Sequence, residues 1–222
     1  MSFSVIIPSA RMENLRDCVW SIVNREEMDP ADVIVVDDGA GAAGRHQLPP
    51  VTWLEGIKPF VFSRNVNLGI KASLGNDVIV MNDDSRLESR GGFSALSKVV
   101  RESPEVGLAS AAIEGFVGNP AQAPQGRGMR FEPRVVAFVC VYIPRSTVER
   151  VGLLDERYVS YGGDDMDYCK RTRDAGLKLG IFDGCIVSHG KVASTYRSRP
   201  DIVALFEDGK RIFREKYPGE KL

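Results

Sequence analysis

Val33-Ile34-Val35-Val36 places four β-branched residues in a row without a polar interruption and closes on Asp37-Asp38-Gly39. Side chains branched at Cβ are stiff and suit a pleated surface. An apolar run without alternation belongs to a strand covered on both faces, the condition of a parallel sheet whose crossovers lay helices on either side. The pattern recurs along the first half. Ser4–Ile7, Val51–Leu54 and Val78–Met81 read as further strands. Between them Leu15, Cys18, Val19, Ile22 and Val23 repeat as one helix face. Ser63 stands where a cap would open a helix carrying Val66, Ile70 and Leu74. Phe93, Leu96, Val99 and Val100 mark another helix, ended before Pro104. Strands alternating with helices define an α/β chain, with a mostly parallel central sheet flanked by helices.

The second half changes character. Gly115 to Pro133 is rich in Gly, Pro and Gln with no apolar period and reads as a long loop; loops of this length are usually lids or binding segments, or else disordered. Val135–Ile143 predicts a strong strand and Ser146–Val151 a short helix. A further helix, capped by Asp164 or Asp165, carries Met166 and Cys169. Leu179–Phe182 and Cys185–Val187 predict two short strands around an Asp183-Gly184 turn. A helix over Asp201–Tyr217 ends the pattern. No repeat or linker divides the chain, so one domain over residues 1–222 is expected, its two halves meeting near residue 112.

Several function classes are disfavoured. The net charge is −1 and no basic stripe is visible, so a nucleic-acid backbone finds no partner surface. The longest apolar run, Val135–Ile143, is far short of the roughly 20 residues a membrane helix needs. Met1 to Pro8 reads as a strand rather than a signal peptide. Cys18, Cys140, Cys169 and Cys185 show no C-x-x-C spacing and sit in apolar patterns, so reduced buried thiols and a cytoplasmic setting are expected.

The chemistry-bearing residues are acidic. Asn82-Asp83-Asp84 follows a buried strand, where carboxylates face the crevice in which α/β sheets bind ligands; they suit a Mg²⁺ or Mn²⁺ ion bridging to phosphates, or simply a turn. Asp37-Asp38 suits a base N–H or a ribose hydroxyl, and Asp-Gly is also a common turn. Asp164, Asp165 and Asp167 crowd within four positions behind Gly162-Gly163. Capping accounts for one of them; mutual repulsion raises carboxyl pKa values and suits a general base. His189 reads as a metal ligand or a hydrogen-bonded histidine. Arg64 suits phosphate. Arg171, four residues after Asp167, reads first as its helical ion-pair partner, and His46 receives no role.

Taken in order, these segments resemble a glycosyltransferase of the GT-A fold, the Rossmann-like fold of nucleotide-diphospho-sugar transferases, and most closely its family 2. Ser4-Val5-Ile6-Ile7-Pro8 resembles the family's first strand, and Val35-Val36-Asp37-Asp38-Gly39 its nucleoside-binding strand end. Arg64 to Gly69 resembles the segment before the metal motif, and Met81-Asn82-Asp83-Asp84 the D-x-D motif with Asn in first place. Val151 to Tyr158 resembles a G-x-F/L-D-E-x-F/Y signature. Gly163 to Asp167 with Arg171 resembles the E-D-x-D-x-x-x-R acceptor motif, and His189 a late metal-ligand histidine. The resemblance runs from Ser4 to about Lys191.

It implies a metal-dependent transferase that moves a sugar from a nucleotide-diphosphate sugar, with UDP favoured, to a hydroxyl acceptor with inversion. Asp38 would bind the base beside Asp37, Pro8 would line its pocket, and Arg64 would touch base or diphosphate. Asn82 and Asp83 would face the donor. Asp84 and His189 would hold Mn²⁺ or Mg²⁺. Asp165 would be the catalytic base, with Asp164 where the family usually has Glu. The acceptor stays open among glycan, lipid-linked sugar, protein and modified nucleobase. Asn82 in place of Asp leaves a rival, a sugar-nucleotide-binding module without catalysis. The Tyr-Gly-Gly-Asp-Asp spelling leaves another, a retaining transferase. A sugar-phosphate nucleotidyltransferase would need an N-terminal Gly-rich basic phosphate loop, which is missing.

Overall fold

The computed structural model describes residues 3–115, 119–132, 134–159, 161–190 and 200–220. Residues 116–118 and Pro133 of the expected loop, and Lys191 at the end of the resemblance, lie outside them. The described elements are β1 (Phe3–Ser9), α1 (Met12–Val23), β2 (Val33–Asp37), β3 (Thr52–Glu55), α2 (Phe62–Ala72), β4 (Asp77–Met81), β5 (Ser85–Leu87), α3 (Gly92–Arg101), β6 (Val106–Gly115), β7 (Met129–Glu132), β8 (Cys140–Ile143), α4 (Arg145–Val151), α5 (Asp164–Asp174), β9 (Lys178–His189) and α6 (Ile202–Lys216).

One sheet runs in the order β3-β2-β1-β4-β8-β6-β9-β5, with β7 also paired to β9. The first four strands are parallel throughout. β8 then inserts antiparallel between β4 and β6, β9 runs parallel to β6, and β5 and β7 pair antiparallel to β9. The sheet is therefore mixed: the expected parallel core occupies its first half. Val33 to Val36 are buried, and Val35 and Val36 fall in the two separate apolar clusters that cover opposite faces. That is the physical reason the run carries no alternation.

Strand direction decides where polar side chains can gather. β1, β2, β3, β4, β6 and β9 all point the same way, so Ser9, Asp37, Glu55, Met81, Gly115 and His189 end at one edge of the sheet. β5 runs the other way and starts at this edge, directly after Asp84. α5 packs its Tyr168 and Cys169 with Leu179 and Ile181 of β9, and leads into the start of that strand. Its own N-terminus therefore points toward the same edge.

Several local expectations are corrected. The strand read as Val135–Ile143 is a strand only from Cys140, because Gln122 hydrogen-bonds both backbone groups of Ala137 and holds the preceding chain off the ladder. The two short strands around Asp183-Gly184 are one strand, β9, with a register irregularity where the turn was expected. Asp183 makes this work: its carboxylate takes the guanidinium of Arg130 at 2.6 Å and the amides of Gln125 and Arg127. Those bonds also turn part of the expected loop into β7. Asn119 donates to the Val135 carbonyl and Gln122 to Ser110, so 119–132 is tied to the sheet. Ser63 is not a cap; Val61 precedes the helix, and Ser63 lies inside α2, fully buried. Gly163, at φ 93°, stands at the N-cap of α5 in place of Asp164 or Asp165.

Candidate functional site

The edge carries two acidic groups and a groove. At the end of β4, Ser9 donates to Asp83 Oδ2 at 2.7 Å, so the ends of β1 and β4 are joined through the candidate site. Burial pushes the Asp83 carboxyl up to about 6; the Ser9 hydrogen bond opposes this and the neighbouring Asp84 charge adds to it. Asp84 is buried, and its Oδ1 lies 3.3 Å from His189 Nε2 on a side chain equally buried. The approach is built by strand pairing, since Ser85, next to Asp84, is the register partner of His189. Gly115, opposite His189 in β6, has φ 95°, and a Cβ there would overlap the His189 carbonyl oxygen; a side chain at this point would force the strand end apart. Asn82 donates its backbone N–H to Val139 at 2.9 Å and accepts from Ser85.

These residues fit a divalent cation in part. Two ligands at right angles on an ion with bonds of 2.0–2.1 Å lie about 2.9 Å apart, a few tenths of an ångström under the observed spacing of Oδ1 and Nε2. Among the described residues no cluster of three or more His, Cys, Asp and Glu forms a complete cage. One carboxylate and one imidazole, with further positions left for phosphate oxygens and water, is the donor set of an ion bound jointly with its substrate.

At the ends of β2 and β3 lies a groove of about 400 Å³ lined by Asp37, Gly39, Gly41, Arg45, Trp53, Glu55, Gly56 and Lys58, among others. Asp37 accepts from the amides of Gly39 and Gly41 and from Arg45 at 2.9 Å. Burial raises its pKa, but Arg45 and the two amides prevail and hold it below the usual carboxylate range. The Arg45 guanidinium lies 4.3 Å from the centre of the Trp53 ring. Asp38 is buried and receives Lys58 Nζ on both its carboxylate and its carbonyl oxygen. Pro8, buried in β1, stands opposite Val36 just before this turn.

The second acidic group opens α5. Burial and the adjacent Asp165 charge push Asp164 up to about 7, and burial likewise raises Asp165. Asp165 Oδ1 accepts from the Met166 amide at 2.8 Å. Asp167 is different: fully buried, it binds Arg171 at 2.7 Å, Tyr217 at 2.8 Å and Lys216. This is the structural pairing expected for Arg171.

The structure thus brings Asp84 and His189 together, with Asp83 next in the chain and bound by Ser9, and sets Asp37 in the wall of a groove whose Lys58 holds the buried Asp38. Asp164 and Asp165 form their own group on an element directed to the same edge. Arg64 lies 3.6 Å from Glu156. Asn67 holds the same segment, exchanging hydrogen bonds with the Leu154 backbone and donating to Glu156. α2 thereby clamps the Gly-Leu-Leu-Asp-Glu stretch, which gives that signature a physical meaning. Sequence reasoning missed Ser9, Arg45, Trp53 and Lys58. Only their places in or beside short strands could have flagged them, because single residues there carry no period of their own.

The fold is that of the GT-A glycosyltransferases. A crystal structure of GalNAc-T7 with UDP, GalNAc and Mn²⁺ superposes with a TM-score of 0.71 at 16% identity, covering 98% of this chain and 50% of that one. S. aureus TarS superposes with a TM-score of 0.64 at 16% identity, over 100% of this chain and 40% of that one. In sequence, the uncharacterized protein y4gI of Sinorhizobium fredii (strain NBRC 101917 / NGR234) is 26% identical over 206 residues, 78% of this chain and 23% of the relative. The chain spans half or less of the length of each of these proteins. No family model matches it. Among the described residues no helix is long and apolar enough to cross a membrane.

Proposed function

We propose that the protein is a glycosyltransferase of family 2 type that moves a sugar from a nucleotide-diphosphate sugar, with UDP favoured, to a hydroxyl acceptor. The observation that carries this reading is the buried Asp84–His189 contact beside Asp83, on the edge that also holds the Asp37–Lys58 groove. Its geometry suits two ligands of one cation, and its position suits a diphosphate reaching from the groove. GalNAc-T7, of like fold, is seen with UDP and Mn²⁺.

In this reading Asp38 and Lys58 offer an acceptor and a donor side by side, matching the N3–H and a carbonyl of uracil. Pro8 and Asp37 shape the turn around the base. Asp83, oriented by Ser9, and Asn82 face the donor, and Arg64 offers its guanidinium to the base or diphosphate. Asp84 and His189 hold Mn²⁺ or Mg²⁺, which when bound offsets charge developing on the departing diphosphate. Asp165, whose basicity burial raises, takes the acceptor proton, with Asp164 beside it. Attack from the side of Asp165 inverts the anomeric centre. The acceptor is drawn from the hydroxyl-bearing glycans, lipid-linked sugars, proteins or modified nucleobases, and the reaction is placed in the cytoplasm.

Thermal shift and turnover with a panel of UDP-, GDP- and TDP-sugars and Mn²⁺ test the reading. Stabilisation by one donor class with release of its nucleotide supports it; no stabilisation by any donor removes it. One specific feature favours a second reading. Asn82, whose side chain carries no charge, weakens the metal motif and suits a binding module, which would bind a donor in the panel and never turn it over.

A further inference from the structure

α6 touches the acidic turn from two sides, and neither contact is needed to make α6 a helix. Near its start, Phe206 lies over Gly162, where any Cβ would come within 2.9 Å of the ring. One turn on, Gly209 is buried against the turn's backbone: a Cβ there would overlap the Gly162 carbonyl oxygen and lie 3.1 Å from that of Tyr161. The approach is reciprocal, since a Cβ on Gly163 would meet the Gly209 carbonyl at 2.8 Å and the Tyr158 ring at the same distance. Gly162 and Gly163, at φ 81° and 93°, fold the turn, and Gly209 lets a helix backbone lie directly on it.

At the far end of α6 the contact is ionic. Lys216 Nζ binds Asp167 and, at 2.7 Å, Asp155; the hydroxyl of Tyr217, just past α6, adds 2.8 Å to Asp167. Asp167 is wholly buried, so its charge is tolerated only because these partners and Arg171 surround it. Asp167 lies two residues beyond Asp165 on the same helix. Backbone packing thus fixes the chain before Asp165, and the ion network fixes the chain after it.

We propose that α6 is the positioning element for the acceptor-side carboxylates: Gly209, Phe206 and Lys216 hold the Tyr161–Asp165 turn in the place from which Asp165 works. This rests on the reading of Asp165 as the base. None of the three residues touches the reacting atoms. They act through the turn, as a shell that holds a catalytic group within a fraction of an ångström must.

The test uses the full chain. Gly209→Ala forces either α6 or the turn to shift, and a displacement near 1 Å can cost on the order of 10²-fold in rate. The expected result is a fall in kcat of that order with the donor found by the panel. UDP affinity in Mn²⁺, measured by calorimetry, stays within twofold of wild type, and amide exchange over 158–167 is faster. Phe206→Ala, which removes a partly exposed ring, should give a smaller fall in kcat and keeps the test open if Gly209→Ala does not fold. Lys216→Met should lower kcat, and Lys216→Arg should restore most of it. Unchanged kcat together with unchanged exchange in folded Gly209→Ala or Phe206→Ala overturns the proposal, as does a loss of UDP affinity equal to the loss of rate. A wild-type protein that turns over no donor defeats the transferase reading and this role with it, whereas an active enzyme with an indifferent Gly209→Ala defeats this role alone.

Discussion

His189 Nε2 faces Asp84 Oδ1 at 3.3 Å across the junction of β9 and β5, with both side chains buried. The polar groups of the pair meet away from bulk water, and sheet register, rather than a flexible loop, sets their spacing. Removing a direct metal ligand should cost at least the roughly 10–100-fold that loss of an outer partner costs. Asp84→Ala and His189→Ala are therefore each expected to lower Mn²⁺-dependent UDP affinity by that much, while binding of UDP without metal changes little. Isothermal titration with and without Mn²⁺ reads this directly; equal affinities in the metal arm would remove both residues from the site.

Asp165→Asn keeps the shape of the first turn of α5 and removes the proton acceptor. General-base catalysis is worth about 10²–10⁴-fold, so kcat for sugar transfer should fall within that range while UDP affinity holds. Full turnover by the variant would reassign the base. The anomeric configuration of the product, read by NMR, separates the inverting course from a retaining one.

Most strands and helices of the first half were legible, the short β5 excepted, because burial on both faces leaves a signature in the sequence itself: Val33 to Val36 admit no polar residue. The second half was less legible because its register depends on side chains far away in sequence. Nothing near Gly184 announces that Arg130 will bind Asp183 and keep β9 continuous, and nothing near Val135 announces the Gln122 amide. The same holds at the site. Asp84 and His189 could be named from residue type and order, whereas their contact depends on β5 pairing with β9. Lys58 and Arg45 were missed because a cation's partner in an irregular turn is chosen by the fold and not by spacing. Neither Asp164 nor Asp165 is the cap, because Gly163 can adopt the left-handed conformation that enters this helix.

Burial and the charge of Asp165 raise the Asp164 carboxyl to about 7, above its ordinary unfolded value. Between about pH 4 and pH 7 the folded chain keeps a proton that the unfolded chain releases, so stability falls as pH rises through this window. Asp164→Asn removes the charged form and its penalty. The variant's melting temperature relative to wild type should therefore rise more at pH 8 than at pH 4, measured without metal or donor. An equal difference at the two pH values would show that Asp164 titrates like a solvent-exposed acid.

Arg130 and Asp183 join β7 to β9 through an ion pair with side chains 13% and 3% exposed. Burial works against the Asp183 charge, but Arg130 and the amides of Arg127 and Gln125 prevail and hold its pKa below the usual range. Removing one partner of such a pair leaves the other desolvated, which costs about 3–5 kcal/mol. For a chain of this size, that is roughly 6–20 °C in melting temperature at about 2–4 °C per kcal/mol. Asp183→Ala should show a loss of this size at pH 7. The double change Asp183→Leu with Arg130→Met, which leaves no orphaned charge, should lose less than either single change. A depressed carboxyl pKa lends stability above its unfolded value and withdraws it as pH falls, so the deficit of Asp183→Ala should shrink toward pH 3. Thermal melts of wild type, the single variants and the double variant at pH 7 and pH 3 decide the matter, and a single-mutant loss below about 1 kcal/mol at pH 7, the scale of an exposed pair, would mean that the contact does not hold β7 in the sheet.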